Sequence, residues 1–426
     1  MTREYKDSGI EWIGRIPEDW KTTKLGTLYS QRNEKVSDKD YPPLSVTMQG
    51  ILPQLETAAK TDDGDNRKLV KKGDFAINSR SDRRGSCGIS PYDGSVSLIN
   101  TILKPRGEMN PKFYNWLFHT SLFADEFYKW GHGIVDDLWT TRWQEMKNIS
   151  VAVPPLIEQQ RIADFLDEKC GEIDALIALQ EQMIGQLTNY KQSVITEAVT
   201  KGLNPDAQLV PSGIEWIEVI PKGWEHVRFY YSNWIRGRLG WKGLKSEEYT
   251  ESGYPFLSAF NIINNKLDWS DINYISQERY DESPEIKLNV GDILLVKDGA
   301  GIGKCARIDD LPLGESTVNS SLAVITPKTY LNYKYLYYYL QSNSFWSIIN
   351  LLLVGMGVPH LTQTNMKNIK MPLPPFEEQI LIAEHLDTKC GEIDSLIATK
   401  RKKIEALKVY KKSIIYEAVT GKRVVE

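Results

Sequence analysis

The stretch Lys169–Asp174 reads Lys-Cys-Gly-Glu-Ile-Asp, and the same string returns at Lys389–Asp394. Each copy lies within a longer pair of matching segments, near residues 154–202 and 374–422. A match of this length within one chain indicates a duplication. We therefore expect a structure with an internal pseudo-twofold repeat.

A second duplicated string precedes each half of the chain. Ser8–Ile13 reads Ser-Gly-Ile-Glu-Trp-Ile and recurs as Ser212–Ile217, and an Ile-Pro pair and a tryptophan follow each copy. Between the constant blocks, residues 22–140 and 226–358 resemble each other only faintly. One constant frame with two variable inserts is suited to presenting two different surfaces, as in a protein that reads a target in two parts.

The second constant block predicts a long helix in each half. A Pro-Pro pair at 154–155 and at 374–375 is followed by acidic residues, which favour a first helical turn. Gly202 and Gly421 stand where helix C-caps are expected, so each helix has about 44 residues and a length of about 65 Å. Apolar residues between these limits follow heptad spacing: Ile162, Leu166, Ile173, Leu176, Met183, Leu187, Tyr190 and Val194, then Ile382, Leu386, Ile393, Leu396, Leu407, Tyr410 and Ile414.

Charge predicts how these helices pair. Residues 156–178 and 376–398 are mainly acidic, whereas 399–422 are mainly basic. Parallel pairing would place acid against acid, so an antiparallel coiled coil is favoured, although each exposed ion pair is weak. The alternative is two independent amphipathic helices, each packed on its own domain.

Bulk properties describe an ordinary globular protein. At 426 residues the chain should form two to four domains, and its net charge of −4 argues mildly against a conventional nucleic-acid binder. No apolar run is long enough to span a membrane and the N-terminus is not a signal peptide, so we expect a cytoplasmic protein. Four cysteines without Cys-x-x-Cys spacing predict buried reduced thiols rather than a zinc site.

Both inserts are predicted to mix helix and strand. Gly73–Ile77 and Gly291–Val296 each read as a turn followed by a buried strand. Aromatic-rich helical segments follow at Phe113–Trp130 and Tyr330–Trp346. The fold class is therefore α+β.

No catalytic or metal-binding motif is identifiable. Gly299–Lys304 resembles a phosphate-binding loop, but Asp298 and Cys305 occupy positions where a Walker loop needs Gly and Ser or Thr, so we expect a turn between strands. The histidines lack metal-ligand spacing, and a methyltransferase cofactor loop is missing from the sequence.

Candidate base-reading residues are those in loops whose side chains can reach base edges. In the first insert they are Arg32, Asn33, Arg80, Arg83, Arg84 and His132; in the second they are Arg236, Arg238, Lys242, Lys297, Lys304 and Met356.

The constant blocks resemble the specificity subunits of type I restriction–modification systems. The resemblance rests on the N-terminal strap Tyr5–Trp20, the Pro-Pro-x-x-Glu-Gln start of both helices, and the Glu-Ala-Val-Thr strings at 197–200 and 417–420. It implies that each insert is a target recognition domain that reads one half of a bipartite, asymmetric DNA site. It also implies that the coiled coil sets the spacer and docks two modification subunits, with restriction subunits as further partners.

By this resemblance the chain has no cofactor of its own, because S-adenosylmethionine, ATP and Mg²⁺ belong to partner subunits. The implied segments are a strap (1–21), a first recognition domain (22–153), a central helix (154–202), a linker with the second strap (203–225), a second recognition domain (226–373) and a C-terminal helix (374–426). Two alternatives remain: a single-chain enzyme, which the missing motifs disfavour, and a duplicated protein–protein scaffold without DNA specificity.

Overall fold

A computed structural model of the chain describes residues 3–54, 64–80, 83–133, 139–238, 244–299, 301–353 and 360–425. The chain divides into two compact units, Met1–Gln180 with Arg401–Glu426 (unit 1) and Glu181–Lys400 (unit 2). This division passes through both long helices and does not test where a recognition domain ends. The six segment boundaries given above stay a prediction.

Unit 1 contains the first strap, the first insert and the beginning of the first long helix. Its elements in chain order are β1 Tyr5–Asp7, β2 Arg15–Pro17, β3 Lys21–Lys24, α1 Leu25–Leu28, β4 Tyr29–Arg32, β5 Lys35–Val36, β6 Leu44–Thr47, β7 Gly50–Pro53, β8 Arg67–Val70, β9 Phe75–Asn78, β10 Cys87–Ile89, β11 Gly94–Val96, β12 Asn100–Pro105, α2 Pro111–Phe118, α3 Ser121–Lys129, α4 Trp143–Met146, β13 Ser150–Val153 and the start of α5 Leu156–Lys201.

Unit 2 continues α5 and contains the second strap and the second insert. Its elements are β14 Leu209–Ile214, β15 Ile217–Pro221, β16 Glu225–Arg228, α6 Phe229–Ser232, β17 Asn233–Arg236, β18 Tyr254–Leu257, β19 Ile262–Ile263, β20 Lys266–Leu267, β21 Asn273–Ile275, α7 Gln277–Asp281, β22 Ile293–Val296, β23 Cys305–Arg307, β24 Thr317–Val318, β25 Leu322–Pro327, α8 Tyr333–Gln341, α9 Asn343–Leu353, α10 Gln363–Asn368, β26 Lys370–Leu373 and most of α11 Phe376–Val419.

Each insert is built on the same four-stranded antiparallel sheet. The strand order is β10-β9-β12-β4 in unit 1 and β23-β22-β25-β17 in unit 2. Strands β9 and β22 are buried along their whole length, and Gly73 (φ 88°) and Gly291 (φ 91°) form the left-handed turns before them. The predicted turn-and-strand pairs and the mixed α+β class are confirmed.

The two long helices begin and end close to where the sequence predicts. Helix α5 has 46 residues and α11 has 44, and each begins directly after its Pro-Pro pair. Gly202 (φ 77°) and Gly421 (φ 71°) adopt the left-handed conformation beyond the helix ends. Glycine takes this conformation without steric cost, which is why it ends helices so often.

Within each unit the two helices run antiparallel. In unit 1, Lys411 Nζ lies 2.6 Å from Asp174 Oδ2, and in unit 2, Lys191 Nζ lies 2.7 Å from Asp394 Oδ1. The two ion pairs join the same two positions of the repeat, with the helices exchanged. The orientation predicted from charge is therefore confirmed.

Part of the predicted heptad seam is wrong. Ile162, Leu166 and Ile173 are buried, but Leu176 and Tyr190, with their repeat equivalents Leu396 and Tyr410, are between 43% and 56% exposed. The seam instead buries Cys170, Cys390, Ile397 and Ile404. The exposed residues belong to the regular apolar pattern, but about half of each side chain remains open to solvent.

The Glu-Gln pair at the start of each long helix attaches the strap and the insert to the helix. In unit 1, Trp20 Nε1 donates to Glu158 Oε2 at 2.9 Å. The buried Gln159 accepts from the backbone N–H of Asn110 and donates to the carbonyl of Pro154, both at 2.9 Å. The equivalent residues of unit 2, Trp224, Glu378, Gln379, Asn332 and Pro374, form the same three hydrogen bonds.

A second attachment joins each insert to its helix through an aspartate. Lys112 and Trp116 both donate to Asp167 in unit 1. In unit 2, Lys334, Tyr338 and Arg307 donate to the equivalent residue, Asp387. Burial raises the pKa of Asp387, but these three hydrogen bonds outweigh it and hold the pKa below its usual value.

The segment after α11 completes unit 1. The Tyr5 hydroxyl donates to the carbonyl of Gly421 at 3.0 Å, and Lys422 Nζ donates to the carbonyl of Ile13 at 3.0 Å. Apolar residues near the end of α11, such as Ile414 and Val419, join the core cluster of unit 1. Unit 1 is therefore assembled from both ends of the chain.

All four cysteines are buried free thiols, as predicted. Cys87 and Cys305 begin the equivalent strands β10 and β23, so these two are repeat partners, as Cys170 and Cys390 are. In the part of the chain that the structure describes, no helix combines the length and the apolar character that a membrane crossing requires.

We expect Gln159→Met to lower the free energy of unfolding of unit 1 by about 2–4 kcal/mol, because the substitution leaves two buried backbone groups without a partner. Denaturant-induced unfolding, with hydrogen exchange followed at Pro111–Phe118, measures the effect. Gln182→Met, at an exposed position of the same helix, is the matched control and should change stability by less than about 0.5 kcal/mol. Equal stability of the two variants would contradict the structural role of Gln159.

Candidate nucleic-acid interface

In both units, the loop after the buried sheet strand is hydrogen-bonded to the segment before a repeated Met-Lys-Asn-Ile string, at 146–149 in unit 1 and 366–369 in unit 2. The Thr141 N–H donates to the Ser79 carbonyl at 3.0 Å in unit 1, and the Leu361 N–H donates to the Lys297 carbonyl at 2.8 Å in unit 2. Antiparallel bridges join Arg80 to Thr140 and Asp298 to His360. We call each of these arrangements a loop pair. The repeat therefore gives both inserts one backbone frame with different side chains.

The loop pair of unit 1 brings together candidates from two distant stretches of sequence. His132 and Thr140 exchange backbone hydrogen bonds of 3.0 and 3.1 Å, and Thr140 also bridges Arg80. Arg80 and His132 are exposed. The Tyr128 hydroxyl donates to the Arg80 carbonyl at 2.5 Å, and the guanidinium of the exposed Arg84 lies 4.3 Å from the ring centroid of Tyr128.

A cavity of about 340 Å³ with both polar and apolar lining opens beside this loop pair. Its lining includes Ser79 and Thr140 of the loop pair, and also Gln31, Lys68 and Arg142. Sequence reasoning missed these last three. Arg142 had a usable signal, since it is a basic residue four positions before the repeated Met-Lys-Asn-Ile string, whereas Lys68 and Gln31 lie within strands and had none.

The loop pair of unit 2 carries a cluster of titratable side chains. Lys297 Nζ lies 2.5 Å from Asp298 Oδ2, and His360 Nδ1 is hydrogen-bonded to Asp298 Oδ1. Lys304 is exposed on the same hairpin between β22 and β23. Lys297 was a candidate from sequence, whereas Asp298 and His360 were not.

Two predicted reading arginines are bound to buried carboxylates. Arg32 makes two hydrogen bonds to Asp74, of 2.6 and 3.1 Å. Its repeat equivalent, Arg236, donates to the fully buried Asp292 at 2.8 Å, to Thr326 and to two backbone carbonyls. These guanidinium groups hold the sheet together, so we do not include them in the proposed interface.

The other candidates lie in different surroundings. Arg238 is almost fully buried, with Nη2 3.9 Å from Glu282 Oε2. Asn33 and Arg83 are exposed. Lys242 and Met356 lie outside the described residues.

The described residues of the Gly299–Lys304 segment lie in a turn between β22 and β23, as expected, and Ala300 lies outside the described residues. A backbone hydrogen bond closes this turn as a hairpin: the Gly303 N–H donates to the Val296 carbonyl at 2.9 Å. Among the residues that the structure describes, no group of three or more His, Cys, Asp or Glu side chains could hold a metal ion. Burial raises the pKa of the Cys87 thiol to about 12, so this thiol is not a ready nucleophile.

Two regions of the chain, residues 17–189 and 240–407, match the model of the family described as type I restriction modification DNA specificity domain. The chain belongs to this family. This membership confirms the resemblance seen in the sequence, and it supports a DNA-specificity subunit rather than an enzyme.

Named relatives agree with this assignment. The type I restriction enzyme MjaVIII specificity subunit of Methanocaldococcus jannaschii is 27% identical over 424 residues, which cover 96% of this chain and 94% of that protein. The EcoKI specificity subunit of Escherichia coli is 26% identical over 208 residues, which cover 48% of this chain and 44% of that protein.

Solved structures share the fold. A chain from work on complex assembly and conformational transition of the type I R-M system superposes with a TM-score of 0.72 at 18% identity, covering 95% of this chain and 98% of that one. The HsdS subunit from Thermoanaerobacter tengcongensis superposes with a TM-score of 0.53 at 19% identity, covering 96% and 98%.

Substitution of Arg236 tests its structural role. We expect Arg236→Met to lower the free energy of unfolding by about 3 kcal/mol, because the carboxylate of Asp292 is left buried without its cation. Chemical denaturation of this variant is compared with that of Arg228→Met, which removes an exposed arginine a short distance away. A stable Arg236→Met protein with altered DNA preference would return Arg236 to the list of reading residues.

Proposed function

We propose that this chain is the DNA-reading subunit of a type I restriction–modification complex, and that each insert reads one half of a bipartite, asymmetric site. The observation that carries the proposal is the duplicated loop pair. The same backbone frame presents Arg80 and His132 in unit 1, and Asp298, His360 and Lys304 in unit 2. A shared frame with different side chains is what two different half-sites require.

The charge of the chain fits a subunit that shares DNA with partners. A net charge of −4 is too low for a protein that neutralises many phosphates alone. Positive charge is nevertheless concentrated locally, since Arg80, Arg83, Arg84 and Arg142 all lie on exposed segments at the loop pair of unit 1. We infer that these residues contact bases and nearby phosphates, while partner subunits supply the remaining phosphate contacts.

Exposed apolar residues of the long helices support docking of two modification subunits. Leu176 and Tyr410 are 43% and 48% exposed in unit 1, and their repeat equivalents Leu396 and Tyr190 are 52% and 56% exposed in unit 2. Each unit thus exposes the same leucine and tyrosine positions of the repeat. Two similar surfaces can bind two copies of one partner.

The catalytic parts of the system belong to those partners in this proposal. Modification subunits bind S-adenosylmethionine, restriction subunits use ATP and Mg²⁺, and the long helices set the spacer between half-sites. The complex acts on DNA in the cytoplasm. In the alternative, the chain is a protein–protein scaffold without DNA specificity.

A DNA mobility-shift assay of the chain mixed with its modification subunits distinguishes the proposed DNA reader from the scaffold. The proposed reader shifts a duplex that contains one split site, and it does not shift a duplex in which either half-site is scrambled. A scaffold forms the same protein complex but shifts both duplexes equally or neither.

The two half-sites should be separable. Exchange of residues 226–365 for the equivalent region of a relative should change one half of the methylated sequence and preserve the other, because constant blocks hold each insert in the same way. Methylation mapping in a host with no other such system is the measurement. The reciprocal exchange of residues 22–140 is the matched control and should change the opposite half. A chimera that altered both halves would refute modular reading.

Docking on the helices makes a stoichiometric prediction. Leu176→Asp or Leu396→Asp alone should leave one modification subunit bound, and the double variant should bind none, since a carboxylate in an apolar contact is strongly unfavourable. Native mass spectrometry counts the subunits. Leu313→Asp, which replaces a leucine of similar exposure in a loop, is the control and should keep two. Full binding by the double variant would place the docking surface elsewhere.

A further inference from the structure

The loop pair of unit 2 contains a hydrogen-bonded network of Lys297, Asp298 and His360 that the backbone bridge does not require. The two carboxylate oxygens of Asp298 are divided between its neighbours: Oδ2 accepts from Lys297 Nζ at 2.5 Å, and Oδ1 accepts from His360 Nδ1. Because an ionised carboxylate can only accept, the Nδ1 atom of His360 carries the proton in this hydrogen bond, and Nε2 is the second polar atom of the half-exposed ring. The network fixes the orientation of all three side chains.

Unit 1 shows that the fold does not need this network. Its loop pair has the same backbone bridge and the same hydrogen bond to the preceding loop carbonyl, but with Arg80 and Thr140 at the two bridged positions. These side chains contain neither a carboxylate nor an imidazole. The backbone frame therefore forms without an acid–base pair, and the side chains at these two positions are free to differ for another reason.

The network is accessible from solvent. The side chains of Asp298 and His360 are 33% and 49% exposed, whereas that of Lys297 is 15% exposed. A carboxylate that approaches DNA is repelled by the phosphates unless cations accompany it. Lys297 supplies a neighbouring positive charge. Each oxygen of Asp298 retains a further lone pair for a second hydrogen bond.

We propose that Asp298, oriented by Lys297 and His360, is a specificity-determining residue of the second recognition domain, in the position that Arg80 occupies in the first. An arginine donates two hydrogen bonds to the O6 and N7 atoms of guanine, and a carboxylate accepts from the exocyclic amino group of cytosine. The two half-sites thus differ at the base pair that faces this position of the loop pair. The proposal rests on the proposed function, since it assumes that the loop pairs face DNA.

The test uses the full complex with modification subunits and a duplex library with randomised half-sites. Arg80→Ala, Asp298→Ala and His360→Ala are compared with the wild type. Asp310→Ala is the matched control, because it removes an exposed carboxylate of unit 2 outside the loop pair. Asp298→Ala should lower discrimination at one position of one half-site by about tenfold or more. Arg80→Ala should do the same in the other half-site, and Asp310→Ala should leave both preferences unchanged.

His360 is a positioning residue in this proposal, so His360→Ala should relax the same base position as Asp298→Ala, and by a smaller factor. Asp298→Asn offers a second readout, because an asparagine at this position should move the preference towards adenine. Each variant is assayed for bound modification subunits, which should be unchanged.

Three results would overturn the inference: an unchanged preference in Asp298→Ala, an equal loss of affinity for all sequences, or relaxation in the half-site that Arg80 reads. Failure of the proposed function has a different signature, since the wild-type complex itself would then select no split site from the library.

Discussion

The structure depends on two neighbouring side chains at the start of each long helix. Glu158 accepts a hydrogen bond from Trp20 of the strap, and the buried Gln159 joins the carbonyl of Pro154 to the first backbone amide of the insert's helical part, at Asn110. Unit 2 repeats all three bonds. Because this attachment uses the backbone of the insert, most of the insert's side chains can differ between the two units without disturbing it. A constant scaffold can therefore hold two inserts that resemble each other only faintly.

Much of this frame can be predicted from the sequence. The repeat, the Pro-Pro pairs and the charge of each helical half gave the elements and their antiparallel orientation, because these signals are local or depend on summed charge. The same approach placed Leu176 and Tyr190 in the helical seam, where the structure has them exposed. Periodicity identifies an apolar stripe on a helix but not which neighbour covers it. A helix with one helical partner leaves part of that stripe exposed.

The candidate site was less predictable, for a related reason. Arg32 and Arg236 have the chemistry of base readers, yet each is held by an aspartate far along the chain. Asp298 had no signal in the sequence, because its partner His360 lies in another segment and the bridge between them is a tertiary contact. Residue type gives the chemistry that a loop can perform. Only the fold decides whether that chemistry is already engaged inside the protein.

The contribution of both chain ends to unit 1 has a consequence for biosynthesis. Arg401–Glu426 emerge from the ribosome after the whole of unit 2, yet Gly421 and Lys422 bind the first strap, and Ile414 belongs to the core of unit 1. The core of unit 1 is therefore incomplete until these residues are made, and the nascent chain carries uncovered apolar surface while unit 2 is being synthesised. A stop codon directly after Lys400 would remove part of the core of unit 1, while leaving unit 2 with every residue it contains.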